Sequence, residues 1–238
     1  MTDRDSLFGL TRRGFLLASS LAVSGVKLPA STPVCSLTPE GETGPYYLDA
    51  ATLRRDVTEG KPGVPVRLRV ALVNAKTCSP LENAALDIWQ CDASGAYSGF
   101  GASEATRYLR GVQVSGKEGF AEFETVYPGW YFGRAIHIHL KVHTGDHIAH
   151  TGQLYFPEEV SEEVAKLEPY AKRAQVHRML QSEDRIFTSQ HGSECLVSLS
   201  RLEKRSNAGG FLATATVAVD PEATPAPVGF GPGRGRRR

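Results

Sequence analysis

The chain has 238 residues, with 27 Lys and Arg against 26 Asp and Glu, a formal net charge of +1. With that balance and no basic patch interleaved with aromatics, nothing points to a nucleic-acid partner. Four cysteines are present and none stands in a C-x-x-C pair, which argues against a zinc ribbon.

The chain opens with Arg12-Arg13 ahead of a short apolar run, Phe15 to Val26, followed by Leu28-Pro29-Ala30. A bilayer span takes about 18 or more apolar residues, and this run is shorter. The order reads as a twin-arginine export signal over residues 1–30, cut near Ala30. "STPV" before Cys35 lacks the small residue of a lipid-anchor site. The expectation is therefore an exported protein, periplasmic or extracellular, with no stable membrane anchor. Residues 221–238, rich in Pro, Gly and Arg and ending in the Arg234 to Arg238 cluster, read as a disordered tail. Excluding both ends leaves residues 31–220, roughly 190 residues, enough for one domain with its own core.

Within that domain, "VPVRLRVALV" at 64–73 sets Val66, Leu68, Val70 and Leu72 against Arg67 and Arg69, the period-two pattern of a strand. Further strands are expected at "AALDIWQC", "GFAEFETVYPGWY", "IHIHLKV", "GQLYF", "CLVSLSRL" and "FLATATVAV". "PEEVSEEVAKLEPYAKRAQVHRML" reads as a polar insertion with short helices interrupted at Pro169. Short strands at this spacing predict an all-β fold, an antiparallel β-sandwich carrying a loop-rich, partly helical insertion. No G-x-G-x-x-G, phosphate-binding loop or G-x-S-x-G is present, so no nucleotide is implied. An even cysteine count behind an export signal favours disulfides. Cys78 and Cys91 flank a turn and strand and are expected to pair, leaving Cys35 for Cys195.

The strand "IHIHLKV" carries the chemistry. Residues two apart share a face, so Ile136, Ile138, Leu140 and Val142 face a core while His137, His139, Lys141 and His143 face the other way. Paired imidazoles on one face fit either a wet polar face or a metal site. Tyr131 follows a Pro-Gly turn six residues ahead of His137. A phenolate is a hard anionic donor that suits a hard, high-charge ion, and it must first lose a proton with a pKa of about 10. Two phenolates, two neutral imidazoles and a hydroxide would neutralise ferric iron, and a neutral centre is the easiest to bury. Tyr97, on the loop between Gly95 and Gly99, and Tyr108 compete to be the second phenol. His143, His147 and His150 fall in "HTGDHIAH", expected to be a loop without a metal role, and His177 and His191 have no assigned role.

Four blocks together resemble the intradiol ring-cleavage dioxygenases: "PEGETGPYYLDA" at 39–50, "PLENAALDIWQCDASGAYSGF" at 80–100, "RYLRGVQVSGKEGFAEFETVYPGWYFGRAIHIHLKV" at 107–142 and "GQLYFP" at 152–157. The resemblance spans about residues 35 to 200. It implies ferric iron held by Tyr97, Tyr131, His137 and His139. It implies Arg134 and Gln153 as polar groups beside the substrate, with Tyr131 also exchanging a proton. It places Gly44, Pro45, Tyr46 and Tyr47 at the pocket mouth, and Tyr46, Tyr47 and Trp130 on the substrate side. The implied partners are a small aromatic diol and dioxygen, with cleavage between the two hydroxyls to a muconate-type diacid. Two other readings compete. A transthyretin-like binding module shares the strand, turn and tyrosine rhythm but has no need of H-x-H. A cupin metal site would want a glutamate a few residues after H-x-H, where Lys141 and His143 stand.

Overall fold

The computed structural model describes residues 35–49, 52–202 and 209–229. The expected export signal with Arg12 and Arg13, and the Arg234 to Arg238 cluster, lie outside the described residues.

Eight strands form two four-stranded sheets: β1 (Pro65–Asn74), β2 (Ala85–Trp89), β3 (Arg110–Val114), β4 (Phe120–Val126), β5 (His137–Thr144), β6 (His147–Tyr155), β7 (Ser198–Arg201) and β8 (Phe211–Val219). One sheet has the order β4-β1-β8-β7 and the other β3-β2-β5-β6. Alternation in β1 works as expected: Val66, Leu68, Val70 and Leu72 are buried while Pro65 and Arg67 are exposed. They meet Leu86, Ile88, Ile138, Leu140 and Val142 of the other sheet in one core. The helical insertion is also present, as α1 (Glu158–Ala165), α2 (Arg185–Ser189) and two 3-10 turns, Tyr170–Arg173 and Gly192–Cys195. No described helix is long and apolar enough to cross a membrane.

Four expectations are corrected. The sandwich is not wholly antiparallel, because β1 pairs in parallel with β8 from Val66↔Phe211 to Asn74↔Val219. β3, "RGVQV", was not expected; its glycine and glutamine weaken the apolar rhythm, and pairing with β2 makes it a strand. "HTGDHIAH" is not a loop but a hairpin, with β6 starting at His147 and a register shift at Val142/His143. Finally, Cys35 bonds Cys78, across a sequence separation of 43, while Cys91 and Cys195 are free and buried. The backbone explains the pairing. The Cys35 amide donates to the Ala75 carbonyl (3.0 Å), which brings the segment 35–42 alongside the turn that holds Cys78. β2 leads away from that turn and carries Cys91 into the aromatic cluster around Trp89 and Tyr97.

Candidate metal centre

The centre is mounted on the outer face of the β3-β2-β5-β6 sheet. Register sets His139 opposite Trp89 on one side and Gln153 on the other, and His137 opposite Tyr155. Directly opposed residues share a face, so a row of polar and aromatic groups lies together on the side away from the sandwich core. That face is not wet. His137 and His139 are only 2% and 1% exposed, because chain segments cover them. The segment 40–47 is one cover. Gly44, at φ +69°, sits where an added Cβ would stand 3.1 Å from His139 Cε1, so the backbone itself closes over the imidazole. Tyr46 stacks on Tyr97 (centroids 4.3 Å) and meets Tyr131 edge-on, and Tyr47 packs against Trp89.

Three donor atoms converge. His137 Nε2 lies 3.0 Å from His139 Nε2 and 3.1 Å from the Tyr131 hydroxyl. The His137 Nδ1–H donates to the Ala135 carbonyl (2.6 Å), which leaves the Nε2 lone pair facing the other two. Tyr97 completes the cluster, with its ring 5.7 Å from Tyr131 and 6.4 Å from His139. Its hydroxyl is buried and makes no hydrogen bond. Tyr108, the competing phenol, lies in the main core, donates to Ser103 Oγ and sits beneath Lys61.

Burial and the nearby Arg134 cation hold both imidazoles well below the ordinary histidine pKa, so they are neutral bases at pH 7. Burial raises both phenols well above theirs. The set suits a cation of high charge. Neutral imidazoles need no deprotonation, phenols ionise when a cation offsets the burial penalty, and an orphaned buried hydroxyl gains a partner. Two donors bound about 2.1 Å from one metal, at right angles, stand about 3 Å apart, the spacing seen here. Among the described residues no group of three His, Cys, Asp or Glu gathers in this way; the tyrosines are indispensable to the set.

Beside this cluster runs a hydrogen-bonded chain. Arg134 Nη2 donates to Gln153 Oε1 and to the Tyr155 hydroxyl (3.2 Å). Tyr155 donates to Gln153 Oε1 (2.8 Å), and Gln153 Nε2 to the Glu42 carbonyl (2.9 Å). Arg134 Nε donates to Asp184 Oδ2 (3.1 Å). Tyr155 and Asp184 were missed by sequence reasoning. The N-cap position of Asp184 ahead of "RIFTS" is readable from sequence, but its arginine partner, 50 residues away, is not. Trp130, expected on the substrate side, belongs instead to the main core and donates its indole N–H to the Val176 carbonyl. His150 pairs with Glu40 (2.7 Å), His177 with Glu183 and His191 with Glu194, all away from the cluster.

Residues 42–193 match the family model described as Dioxygenase. Among solved structures, an intradiol ring-cleavage dioxygenase from Tetranychus urticae is 32% identical with a TM-score of 0.74, over 81% of this chain and 98% of that one. The dioxygenase domain of a dioxygenase carbohydrate-binding protein fusion from Streptomyces sp. SirexAA-E is 30% identical with a TM-score of 0.57, over 78% and 99%. The 3-chlorocatechol 1,2-dioxygenase of Rhodococcus opacus, 20% identical with a TM-score of 0.60 over 76% and 72%, shares the fold. Among curated proteins none matches significantly.

Proposed function

This chain belongs to the intradiol ring-cleavage dioxygenases, oxidoreductases, and from that premise we propose that it opens a catechol-type ring between its two hydroxyls to give a muconate-type diacid. Family membership sets aside the binding-module and cupin readings. The observation that carries the proposal is the convergence on His137 Nε2 of the Tyr131 hydroxyl, at 3.1 Å, and of His139 Nε2, at 3.0 Å.

In this reading Tyr97, Tyr131, His137 and His139 hold ferric iron, which when bound supplies Lewis acidity toward the diol oxygens and draws electron density from the ring. The other steps belong to the chain. The Tyr131 oxygen takes a proton from one substrate hydroxyl, as a general base. Arg134 spends Nε and Nη2 on Asp184, Gln153 and Tyr155, and Nη1 makes no hydrogen bond among the described residues. That free donor edge stabilises negative charge as it develops on the substrate. Gln153, gripped by Arg134, Tyr155 and the Glu42 carbonyl, holds the guanidinium plane. Tyr46, Tyr47 and Gly44 shield the site from water. Both atoms of dioxygen end in the diacid, so no reductant is required.

The test is oxygen uptake by purified, iron-loaded protein given catechol, hydroxyquinol or protocatechuate. Uptake one-for-one with a diol, and a diacid carrying both labelled oxygen atoms, supports the proposal. No uptake with any of the three would overturn it. We also propose export by the twin-arginine route, on the strength of Arg12, Arg13 and the apolar run behind them. Changing both arginines to lysine should then retain the protein inside the cell, and undiminished secretion would refute that route.

A further inference from the structure

Asp184 is fully buried and its carboxylate is divided between two tasks. Oδ1 accepts the backbone amides of Ile186 (2.8 Å) and Phe187 (3.3 Å), capping α2. Oδ2 faces the other way. It accepts Arg134 Nε (3.1 Å) and the backbone amide of Ala135 (2.9 Å). A helix cap needs one oxygen, so the second is free to tie the insertion to the two residues that enter β5. Both residues matter to the centre. Arg134 carries the free guanidinium edge, and the Ala135 carbonyl accepts the His137 Nδ1–H that fixes the tautomer of that ring.

We propose that Asp184 is a positioning residue for the ring-cleavage reaction: it holds the Arg134 guanidinium at the site and, through the backbone of Ala135 on either side of its Cα, the orientation of His137. The inference rests on the functional reading above. Its physical content is that one rigid carboxylate clamps two donors whose side chain and peptide serve the same centre from different directions. Partners that orient a metal ligand without touching the metal commonly matter about 10- to 100-fold.

Asp184→Asn separates the two tasks. One amide atom can still accept and cap α2, but the other is a donor, placed against the donors of Arg134 and Ala135. The variant should retain its iron and its KM for catechol while kcat falls about 10- to 100-fold. Arg134→Ala alone should lose about 10² to 10³ in rate with its iron kept. Adding Asp184→Asn to Arg134→Ala should then cost less than the product of the two single losses, because the Arg134 half of the clamp is already gone and only the Ala135 half is left to lose. Losses that multiply in the double variant, or a single variant with the parent kcat, would overturn the inference while leaving the activity itself intact. A third measurement needs neither variant nor metal. In the iron-free parent the Arg134 Nε–H and the Ala135 amide should exchange slowly with solvent. Exchange of both at the rate of exposed groups would overturn the clamp even where Asp184→Asn does not fold. A parent that consumes no oxygen overturns the functional reading instead, a failure the exchange measurement distinguishes from this one.

Discussion

The Trp89 indole lies flat on the His139 imidazole, ring centroids 4.9 Å apart and planes within 3°. The two residues are register partners on adjacent strands, so sheet pairing sets the stack and the stack fixes the ring. Trp89→Leu removes that wall and should weaken iron binding about 10- to 100-fold, as loss of an orienting partner does. Trp89→Phe should keep most of the affinity. Chelator competition measures both, and equal affinity for Trp89→Leu would show the stack to be idle.

Iron loading should release protons. Tyr97 and Tyr131 are held as neutral phenols by burial, whereas His137 and His139 are already neutral bases. Binding then frees about two protons per ion from the phenols and about one from the water that becomes the hydroxide, and affinity rises with pH. A pH-stat titration of the iron-free protein reads the number directly. Tyr131→Phe should release about one proton fewer than the parent. Release by the parent of no more than about one, the share of the water, would mean the phenols are not ligands.

The cysteine pattern gives a stability prediction. Cys35–Cys78 closes a sequence separation of 43, and loop-closure entropy makes such a bond worth about 4 kcal/mol. Cys35→Ser should therefore lower the denaturation midpoint by a corresponding amount, read by urea unfolding. Peptide mapping without reductant should find that bond and two thiols, Cys91 and Cys195, that alkylate only after unfolding. A Cys78–Cys91 peptide would contradict the structure.

Asp87 sets a pH dependence. Burial pushes its carboxyl up to about 7, against the pull of Tyr47, Lys141 and Arg110. In the unfolded chain the group titrates at about 4, so the folded state holds its proton more tightly. Stability from this group is full below about pH 4, falls as pH rises toward 7 and is level above that. Asp87→Asn has no proton to lose. The stability of the variant relative to the parent should climb between pH 4 and 7 and then flatten, by unfolding measured with the same metal content throughout. A difference independent of pH would place the Asp87 pKa in the ordinary range.

Much of this was legible along the chain because it is encoded by local periodicity. β1 and β8 follow from alternation over about nine residues, and a strand geometry of period two places His137 and His139 on one face wherever that strand sits. The resemblance of the four blocks pointed to Tyr97 over Tyr108, and packing brings Tyr97, not Tyr108, beside the histidines. What the face meets is another matter. The same alternation describes a wet surface or a closed centre, and only the segment 40–47, crossing with Gly44 over His139, makes it a closed one. The disulfide likewise depends on where Cys35 is carried by its bond to the Ala75 carbonyl, not on how near two cysteines are in sequence. Asp184 reads locally as a helix cap, and its second oxygen finds Arg134 only once the insertion folds back. Composition and short-range pattern determined the strands and the donor types. Contacts between residues 50 or more apart in sequence, as between Arg134 and Asp184 or Gln153 and Glu42, decided how those donors are covered, clamped and charged, because no local pattern specifies which distant segment will satisfy a buried polar group.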